Sequence, residues 1–273
     1  MLKDVLSVIL PTLNESEALP RTLQHAREQC FFDDTEFIVS DCNSADDTAD
    51  LARIFGARVV HGSDSRARAM NHGATAARGN VLLFLHADCK VPRHFDRAVL
   101  AAVSRGCVGG AFDFNWATHP LSKGVSRELL RLIRIMNRIR FRWTGNFYGD
   151  QGIFVTAKIF SHLGGFPDVR LMEDVRFSQK LKNAGRIAIV QPALKTSPRR
   201  FLTRGITRQF AMDLKLLALD SAGFLQESNW NTYNQLNQTA AYRTSKGAYH
   251  APHHPTSLQL PTTVREHPKP VTT

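Results

Sequence analysis

The sequence predicts an α/β protein with a mainly parallel sheet flanked by helices. Two observations lead to this fold class. Short apolar runs rich in β-branched residues alternate with segments of helical spacing through the first half of the 273-residue chain, a pattern typical of βαβ units. Polar and acidic residues follow several of the runs directly, as they do in open α/β sheets that bind ligands at the carboxyl ends of their strands.

Each predicted strand is a short apolar run, and each predicted helix has apolar residues at helical spacing. The first helix tolerates Pro20 if it begins near Ser16, because the amides of a first helical turn lack partners in any case. The second helix ends at Gly56. The strands are predicted at 5–10, 36–40, 57–61, 81–85, 109–114, 152–155 and 187–190, and the later helices at 121–143, 158–163, 174–183 and 203–224.

Composition excludes several classes of protein. With 43% hydrophobic and 22% charged residues the chain can form a sizeable core, which excludes wholesale disorder and collagen-like or coiled-coil architectures. No apolar run approaches the length of a membrane span, and the first residues lack the order of a secretory signal. The four cysteines are dispersed, so we expect reduced thiols and a cytoplasmic protein.

The composition changes after about residue 225. Residues 226–273 are rich in Asn, Gln, Thr, His and Pro and have few apolar anchors. Such a segment cannot bury enough surface to offset its ordering entropy. We therefore expect a domain over 1–225 followed by a disordered polar tail.

The polar residues at the predicted strand ends suit a nucleoside diphosphate. Asp41 follows the second run and can accept hydrogen bonds from a base or ribose, while Asp88 follows the fourth run and can hold a divalent ion. Taken singly, each of these residues also fits a helix cap or a turn. Neither a Gly-x-Gly-x-x-Gly nor a P-loop motif occurs, which disfavours dinucleotide enzymes and P-loop NTPases.

Six motifs together give a more specific identification. They are Val8-Ile-Leu-Pro-Thr-Leu-Asn-Glu15, Ile38-Val-Ser-Asp41 with 44–48, 66–71 with Gly73, Gly79 to Asp88, Gly164-Gly-Phe-Pro167 and Met172-Glu-Asp174. In this order the set resembles the inverting glycosyltransferases of family 2, and the resemblance covers roughly residues 5–215. It implies a GT-A fold with a mixed, mainly parallel sheet. Within that family the chain is most similar to a bacterial subgroup of radical-SAM/selenodomain-associated transferases.

The resemblance also implies roles for individual residues. The nucleotide pocket would be lined by Pro11, Asn14, Glu15, Asp41, Arg66, Asn71 and Ala87. Asp88 would bind Mn²⁺ or Mg²⁺, and His86 stands where the family usually has a first carboxylate, so it is either a ligand or a neighbour. Asp174 would be the base that deprotonates the acceptor hydroxyl, with Glu173 as the fallback.

Two further groups have an open interpretation. Tyr148, Asp150 and Gln151 look like part of the acceptor or donor-sugar wall, although a tight turn explains them equally well. Arg199 and Arg200 follow the last predicted strand and could neutralise a leaving diphosphate, or they could form a solvated basic turn.

The segment 123–142 is predicted to be a basic amphipathic helix. Its aliphatic residues are interleaved with seven basic residues: Lys123, Arg127, Arg131, Arg134, Arg138, Arg140 and Arg142. Such a helix could lie on an anionic membrane, which would suit a lipid-linked acceptor and a peripheral location on the inner face of the membrane. The alternative is an ordinary helix packed by its apolar face. Nucleic acid is not the expected partner, because the arginines alternate with aliphatic rather than stacking aromatic side chains.

The main functional hypothesis is therefore an inverting, metal-assisted transferase that uses a nucleotide-sugar donor. The rival from another class is a non-catalytic basic protein, binding membrane surfaces or nucleic acid, that retains the fold. The acidic set Asp41, Asp88 and Asp174 separates the two, because it would oppose binding to a phosphate backbone. A sugar-phosphate nucleotidyltransferase is disfavoured, since the first strand is not followed by a Gly-rich basic loop.

Overall fold

The computed structural model describes residues 4–62, 64–118 and 124–224. In this part of the chain the strands form one mixed sheet. Its strands are β1 (Leu6–Thr12), β2 (Glu36–Asp41), β3 (Arg58–His61), β4 (Val81–Phe84), β5 (Gly109–Trp116), β6 (Ile153–Thr156) and β7 (Ile187–Thr196). The strand order is β3-β2-β1-β4-β6-β5-β7.

Helices connect and cover these strands. They are α1 (Leu19–Gln29), α2 (Thr48–Ile54), α3 (Arg66–Ala76), α4 (Phe95–Ser104), α5 (Val125–Thr144), α6 (Ala157–His162), α7 (Glu173–Ala184), α8 (Arg199–Arg204) and α9 (Ile206–Ser221). A single 3₁₀ turn, Gly149–Gln151, precedes β6.

The sheet is mainly parallel. Strands β3, β2, β1 and β4 pair in parallel, as do β5 and β7. Only β6 runs the other way, and it lies antiparallel between β4 and β5. The predicted mainly parallel α/β class, and the mixed sheet implied by the resemblance, are confirmed.

Apolar side chains cover both faces of the central strands. In β1, Val8 and Leu10 point into a core shared with α1 and α4, while Ile9 points into the opposite core, which includes Phe84 and Phe177. A strand that is buried on both faces reads as a continuous apolar run, as the sequence of β1 does. The carboxyl ends of β1, β2 and β4 therefore open at one edge of a rigid, well-packed sheet.

Three boundaries differ from the sequence prediction. The first helix begins at Leu19 rather than near Ser16, so Pro20 still lies in its first turn. Strand β7 continues past Val190 to Thr196, because a strand at the sheet edge can accommodate Pro192. The single helix predicted at 203–224 is instead α8 followed by α9, separated by Gly205 with a φ of +87°.

The predicted disordered tail, 226–273, and Lys123 lie outside the described residues. Among the helices that the structure describes, none combines the length and the apolar character needed to cross a lipid bilayer.

Candidate functional site

The loops after β1 and β2 are locked to one another. The backbone N–H of Asn14 donates to Ser44 Oγ at 2.9 Å, and Asn14 Oδ1 accepts from the backbone N–H of Ala45 at 2.8 Å. The backbone N–H of Glu15 donates to Thr48 Oγ1 at 2.9 Å. Asn14 has a φ of +54°, a conformation that asparagine tolerates better than most residues. These bonds fix the entrance of α1 beside the carboxyl end of β2.

Asp41 closes the base of the same loop pair. Its buried carboxylate accepts from the hydroxyl of Ser44 at 2.5 Å, from the backbone N–H of Ser44 at 3.0 Å and from Thr12 Oγ1 at 3.3 Å. His61 Nδ1 lies 3.7 Å from Asp41 Oδ2. Pro11 is half-buried within β1. Asp41 is thus oriented by protein groups in advance of any ligand.

Glu15 and Asp88 lie at the mouth of the site and influence one another. The pKa of Glu15 is raised to about 7, chiefly by burial and in part by the charges of Asp88 and Asp46, while Arg199 opposes the rise. Burial also raises the pKa of Asp88, against the opposing charges of Arg199 and Arg200. The ends of β1 and β4 therefore form an acidic mouth facing α8.

His86 brings β4, the 3₁₀ turn and α7 together. A Cβ atom built on Gly149 would lie 2.8 Å from His86 Nε2 and 3.3 Å from Asp174 Oδ2, so only glycine fits there without a shift. Burial, together with the charges of Arg66 and Arg200, holds the pKa of His86 well below its usual value. The imidazole is therefore neutral at pH 7, the form in which it can bind a metal ion.

Glu173 and Asp174 occupy the first turn of α7 and face different partners. Asp174 is 8% exposed, and its two oxygens accept from the backbone N–H groups of Gly149 at 2.6 Å and Val175 at 2.8 Å. Glu173 is 1% exposed and pairs with Arg66 Nε at 2.5 Å. Burial raises the pKa of Glu173, Arg66 lowers it and Asp174 raises it. Asp174 thus faces the 3₁₀ turn, whereas Glu173 faces α3.

The 3₁₀ turn supplies a further carboxylate. The pKa of Asp150 is raised to about 6, chiefly by burial and in part by the charges of Asp174, Asp213 and Asp88, while Arg200 opposes the rise. Gln151 is buried, and its Oε1 accepts from the backbone N–H of Tyr148 at 3.0 Å. The turn is therefore a tight, capped one, as one interpretation predicted, and it also carries Asp150 to the acidic group.

The arginines of α8 face this acidic group. Arg199 and Arg200 are exposed, and their charges act on Glu15, Asp88, Asp150 and His86. Two cations beside converging carboxylates give the mouth both signs of charge. Such a site can hold a diphosphate and a cation together.

Two further residues lie beside this group, and the sequence interpretation gave neither of them a role in the site. The guanidinium of Arg140, on α5, lies 3.8 Å from the centre of the Tyr148 ring. Asp213, on α9, has a pKa raised by burial and contributes to the raised pKa of Asp150. Both come from helices after the motif-bearing strands, where only helical periodicity was visible.

Three of the residues predicted to line the nucleotide pocket have contacts with other parts of the protein. Asn71 uses both ends of its amide on the backbone of Phe166, with Nδ2 donating at 2.8 Å and Oδ1 accepting at 2.9 Å. The methyl group of Ala87 is part of the core, and its carbonyl accepts from Thr22 Oγ1 at 2.5 Å. Arg66 pairs with Glu173, so it approaches the site from the α3 side.

Within 4–62, 64–118 and 124–224, no three His, Cys, Asp or Glu side chains form a group that could hold a metal ion alone. A site completed by its substrate remains compatible with the residues present. Asp88 and His86 offer a carboxylate and a neutral imidazole at the strand end, and Mg²⁺ commonly combines one or two carboxylates with substrate phosphates and water. The donor set therefore fits a divalent ion that arrives with a diphosphate.

Sequence comparisons identify relatives with a common activity. Residues 7–162, more than half of the chain, match the family model "Glycosyl transferase family 2". The chain is 33% identical over 162 residues to a PGL/p-HBAD biosynthesis glycosyltransferase of Mycobacterium tuberculosis, and the match covers 56% of each chain. It is 36% identical over 106 residues to the validoxylamine A glucosyltransferase of Streptomyces hygroscopicus, covering 36% of this chain and 25% of that one. The chain thus matches about half the length of the mycobacterial relative.

Solved structures share the fold at low sequence identity. The mannosyltransferase PcManGT from Pyrobaculum calidifontis, in complex with GDP-Man and Mn²⁺, matches with a TM-score of 0.55 and 20% identity over 93% of this chain and 77% of that one. TarS 1-349 of S. aureus in complex with UDP matches with a TM-score of 0.54 and 18% identity over 73% of this chain and 63% of that one. These neighbours are GT-A enzymes, which confirms the GT-A-like fold class.

Proposed function

The chain belongs to glycosyltransferase family 2, and from that premise we propose that it is an inverting, metal-assisted glycosyltransferase of the hexosyltransferase type. It transfers a sugar from a nucleoside diphosphate to an acceptor hydroxyl. The observation that carries the proposal is the convergence of Glu15, Asp88, Asp150 and Asp174 opposite the arginines of α8. One group of carboxylates can then serve both the proton transfer and the cation that accompanies a diphosphate.

Asp174 is the proposed base. Backbone N–H groups hold both of its oxygens, so the carboxylate has a fixed direction before an acceptor binds. It takes the proton of the acceptor hydroxyl as the acceptor oxygen forms a bond to the anomeric carbon. The bond from that carbon to the diphosphate oxygen breaks on the opposite side, and the diphosphate leaves with the electron pair. Attack opposite the leaving group inverts the anomeric configuration.

Glu173 is better suited to holding Asp174 in place than to taking the proton. It is almost fully buried and paired with Arg66, so it is less able to reach an acceptor hydroxyl. The pair ties the N-terminus of α7 to the N-terminus of α3. This contact keeps Asp174 in position against Gly149.

The leaving diphosphate is assigned to the basic side of the mouth. Arg199 and Arg200 are exposed and face the carboxylates across it, where they can neutralise developing phosphate charge. Asp88, with His86 beside it, would hold Mn²⁺ or Mg²⁺, which supplies further neutralisation of the diphosphate when bound. PcManGT was solved with GDP-Man and Mn²⁺, and TarS 1-349 was solved with UDP. Guanosine and uridine diphosphates are therefore among the nucleotides to test on this chain.

The loops after β1 and β2 are the proposed seat of the nucleoside. The Asn14–Ser44 contact forms a preorganised polar surface there, and the buried carboxylate of Asp41 holds Ser44 in place beneath it. Tyr148, Asp150 and Gln151 lie on the Asp174 side and are proposed to border the transferred sugar and the acceptor. A lipid-linked acceptor and membership of the radical-SAM-associated subgroup stay predictions.

A donor-hydrolysis assay tests the function without knowledge of the acceptor. The purified chain is incubated with UDP-, GDP-, dTDP- and CDP-sugars and Mn²⁺ or Mg²⁺, and release of nucleoside diphosphate is followed. We expect slow release from one donor class, with the freed sugar first detected by NMR in the anomeric configuration opposite to that of the donor. Release with retained configuration would contradict inversion. The non-catalytic alternative is not favoured by the family membership, and it would gain support if no donor were turned over.

A further inference from the structure

Helix α5 has two apolar faces, and within 4–62, 64–118 and 124–224 only one of them packs against other elements. Its inner face places Leu130 and Ile133 in a small core with Ile206 of α9. The indole N–H of Trp116 donates to the carbonyl of Leu130 at 2.7 Å, which fixes the helix against β5. An ordinary surface helix needs no second apolar face.

The outer face of α5 carries an aliphatic stripe, and the exposed carboxylate of Glu128 falls within the same arc of the helix. Val125 is 76% exposed, Leu132 52% and Ile139 55%, and Ile135 and Met136 are also exposed. At the helical angle of about 100° per residue these five side chains fall within an arc of roughly 100°. A stripe of this width is large enough to lie against another apolar phase.

Arginines flank the stripe on one side. The side chains of Arg127 and Arg131 are 72% and 73% exposed, and the one acidic residue among the described positions of α5, Glu128, lies 3.8 Å and 3.9 Å from them. Such exposed pairs contribute little and leave the cations accessible to solvent. The same face is therefore apolar along its centre and cationic along its edge.

We propose that this outer face of α5 docks the protein onto the surface of an anionic lipid bilayer. Aliphatic side chains would enter the boundary between head groups and acyl chains while the arginines contact lipid phosphates, as in interfacial helices. A second copy of the chain fits less well, because pairing the two faces would bring their arginines together. Nucleic acid offers no apolar phase for the stripe.

The docking face and the candidate site share this helix. Arg140, one residue after Ile139, packs over the ring of Tyr148 beside the acidic group. Arg138 pairs with the buried Asp113 of β5 at 2.9 Å, which ties the helix to the sheet. A bilayer bound to α5 would thus hold the site close to the lipid surface. The docking itself does not depend on the proposed catalytic activity.

Vesicle co-sedimentation tests the docking surface. The full chain is mixed with phosphatidylcholine vesicles with and without phosphatidylglycerol, and partitioning is compared for wild type, Ile139→Glu, Arg131→Gln and Ile54→Glu. Ile54 lies on α2 and is 54% exposed, so Ile54→Glu makes the same charge change at equal exposure away from α5. Melting temperatures check that each variant is folded.

We expect binding to phosphatidylglycerol vesicles that weakens with salt. Ile139→Glu should lower partitioning about tenfold and Arg131→Gln about fivefold, while Ile54→Glu binds like wild type. Absence of binding to anionic vesicles, or equal losses for Ile139→Glu and Ile54→Glu, would overturn the proposal. A dimer in light scattering that Ile139→Glu converts to a monomer would also overturn it, and would assign the face to a second copy.

Discussion

Substitution of Asp174, the proposed base, should affect chemistry and nucleotide binding differently. Asp174→Asn keeps the size of the side chain and removes its capacity to accept a proton. We expect release of nucleoside diphosphate to fall by about 100-fold or more, while nucleotide affinity changes by less than about threefold. Calorimetry and the donor-hydrolysis assay measure the two quantities on the same sample.

Asp168→Asn is the matched control for this substitution. Asp168 is exposed and pairs with Arg68 at 2.7 Å, outside the acidic group. Its loss should leave turnover unchanged. If Asp174→Asn turned over the donor as fast as Asp168→Asn does, the assignment of Asp174 as base would be wrong.

Because Arg66 pairs with a buried carboxylate and Arg68 with an exposed one, we expect their substitutions to lower the free energy of unfolding by different amounts. Arg66→Ala leaves the carboxylate of Glu173 buried without its cation, and Glu173 Oε2 already lacks a hydrogen-bond partner among the described residues. We expect the free energy of unfolding to fall by about 2–3 kcal/mol. Arg68→Ala removes only an exposed pair and should cost about 0.5 kcal/mol. Urea denaturation of both variants measures these losses, and equal values would contradict a structural role for the buried pair.

The residues proposed for the site could be singled out where they lie in short sequence motifs. Asp41 ends β2, Asp88 follows β4 and Asp174 lies in the first turn of α7. The sequence did not predict that Arg140 and Asp213 lie beside the site, because both belong to long helices whose position depends on how α5 and α9 pack. For Asn71 the motif was visible in the sequence, but its amide partner was not: both ends of the amide bond to the backbone of Phe166.

At the scale of elements, Glu36 joins the starts of three strands. Its Oε1 accepts from Ser7 Oγ at 2.5 Å and from the backbone N–H groups of Arg78 and Gly79 at 2.5 Å and 3.2 Å. Burial alone would raise the pKa of Glu36, but these hydrogen bonds hold it below its usual 4.5. The ionised carboxylate therefore stabilises the end of the sheet opposite the site.

This arrangement predicts a pH dependence of stability. Because the folded-state pKa lies below the unfolded one, the contribution of Glu36 is complete above about pH 4.5 and is lost as the pH falls through the folded-state pKa. Urea unfolding between about pH 6 and pH 3 should show a shallower loss of stability for Glu36→Gln than for wild type. Glu28→Gln, on the exposed side of α1, should follow the wild-type curve. Parallel curves for all three proteins would contradict the role of Glu36.

Element types were predictable from the sequence, but their order in the sheet was not. Apolar runs and helical spacing identified all seven strands, because each buries its side chains locally. The position of β6 between β4 and β5 depends on contacts between distant segments, which no local pattern encodes. The break between α8 and α9 was also not predictable, because the apolar residues keep their helical spacing across it. The positive φ of Gly205 ends α8 there.

On the scale of the whole molecule, the chain has a net charge of +11, but its acidic and basic side chains are unevenly distributed. Carboxylates gather at one edge of the sheet although the chain as a whole is basic, and exposed arginines lie on α5 and α8. A basic surface around an acidic pocket attracts anionic ligands over long range, while a cation is needed to admit a diphosphate to the carboxylates. We therefore expect nucleotide binding and divalent metal binding to be coupled.

Calorimetric titration with UDP, GDP, dTDP and CDP, with and without Mn²⁺, tests this coupling most directly. We expect one nucleotide to bind, with Mn²⁺ raising its affinity at least about tenfold, and we expect Asp88→Ala to abolish the effect of the metal. Asp168→Ala, a substitution at an exposed residue outside the acidic group, should leave the coupling intact. Failure of a folded sample to bind any of the four nucleotides, or metal-enhanced binding that persists in Asp88→Ala, would contradict the proposed transferase site.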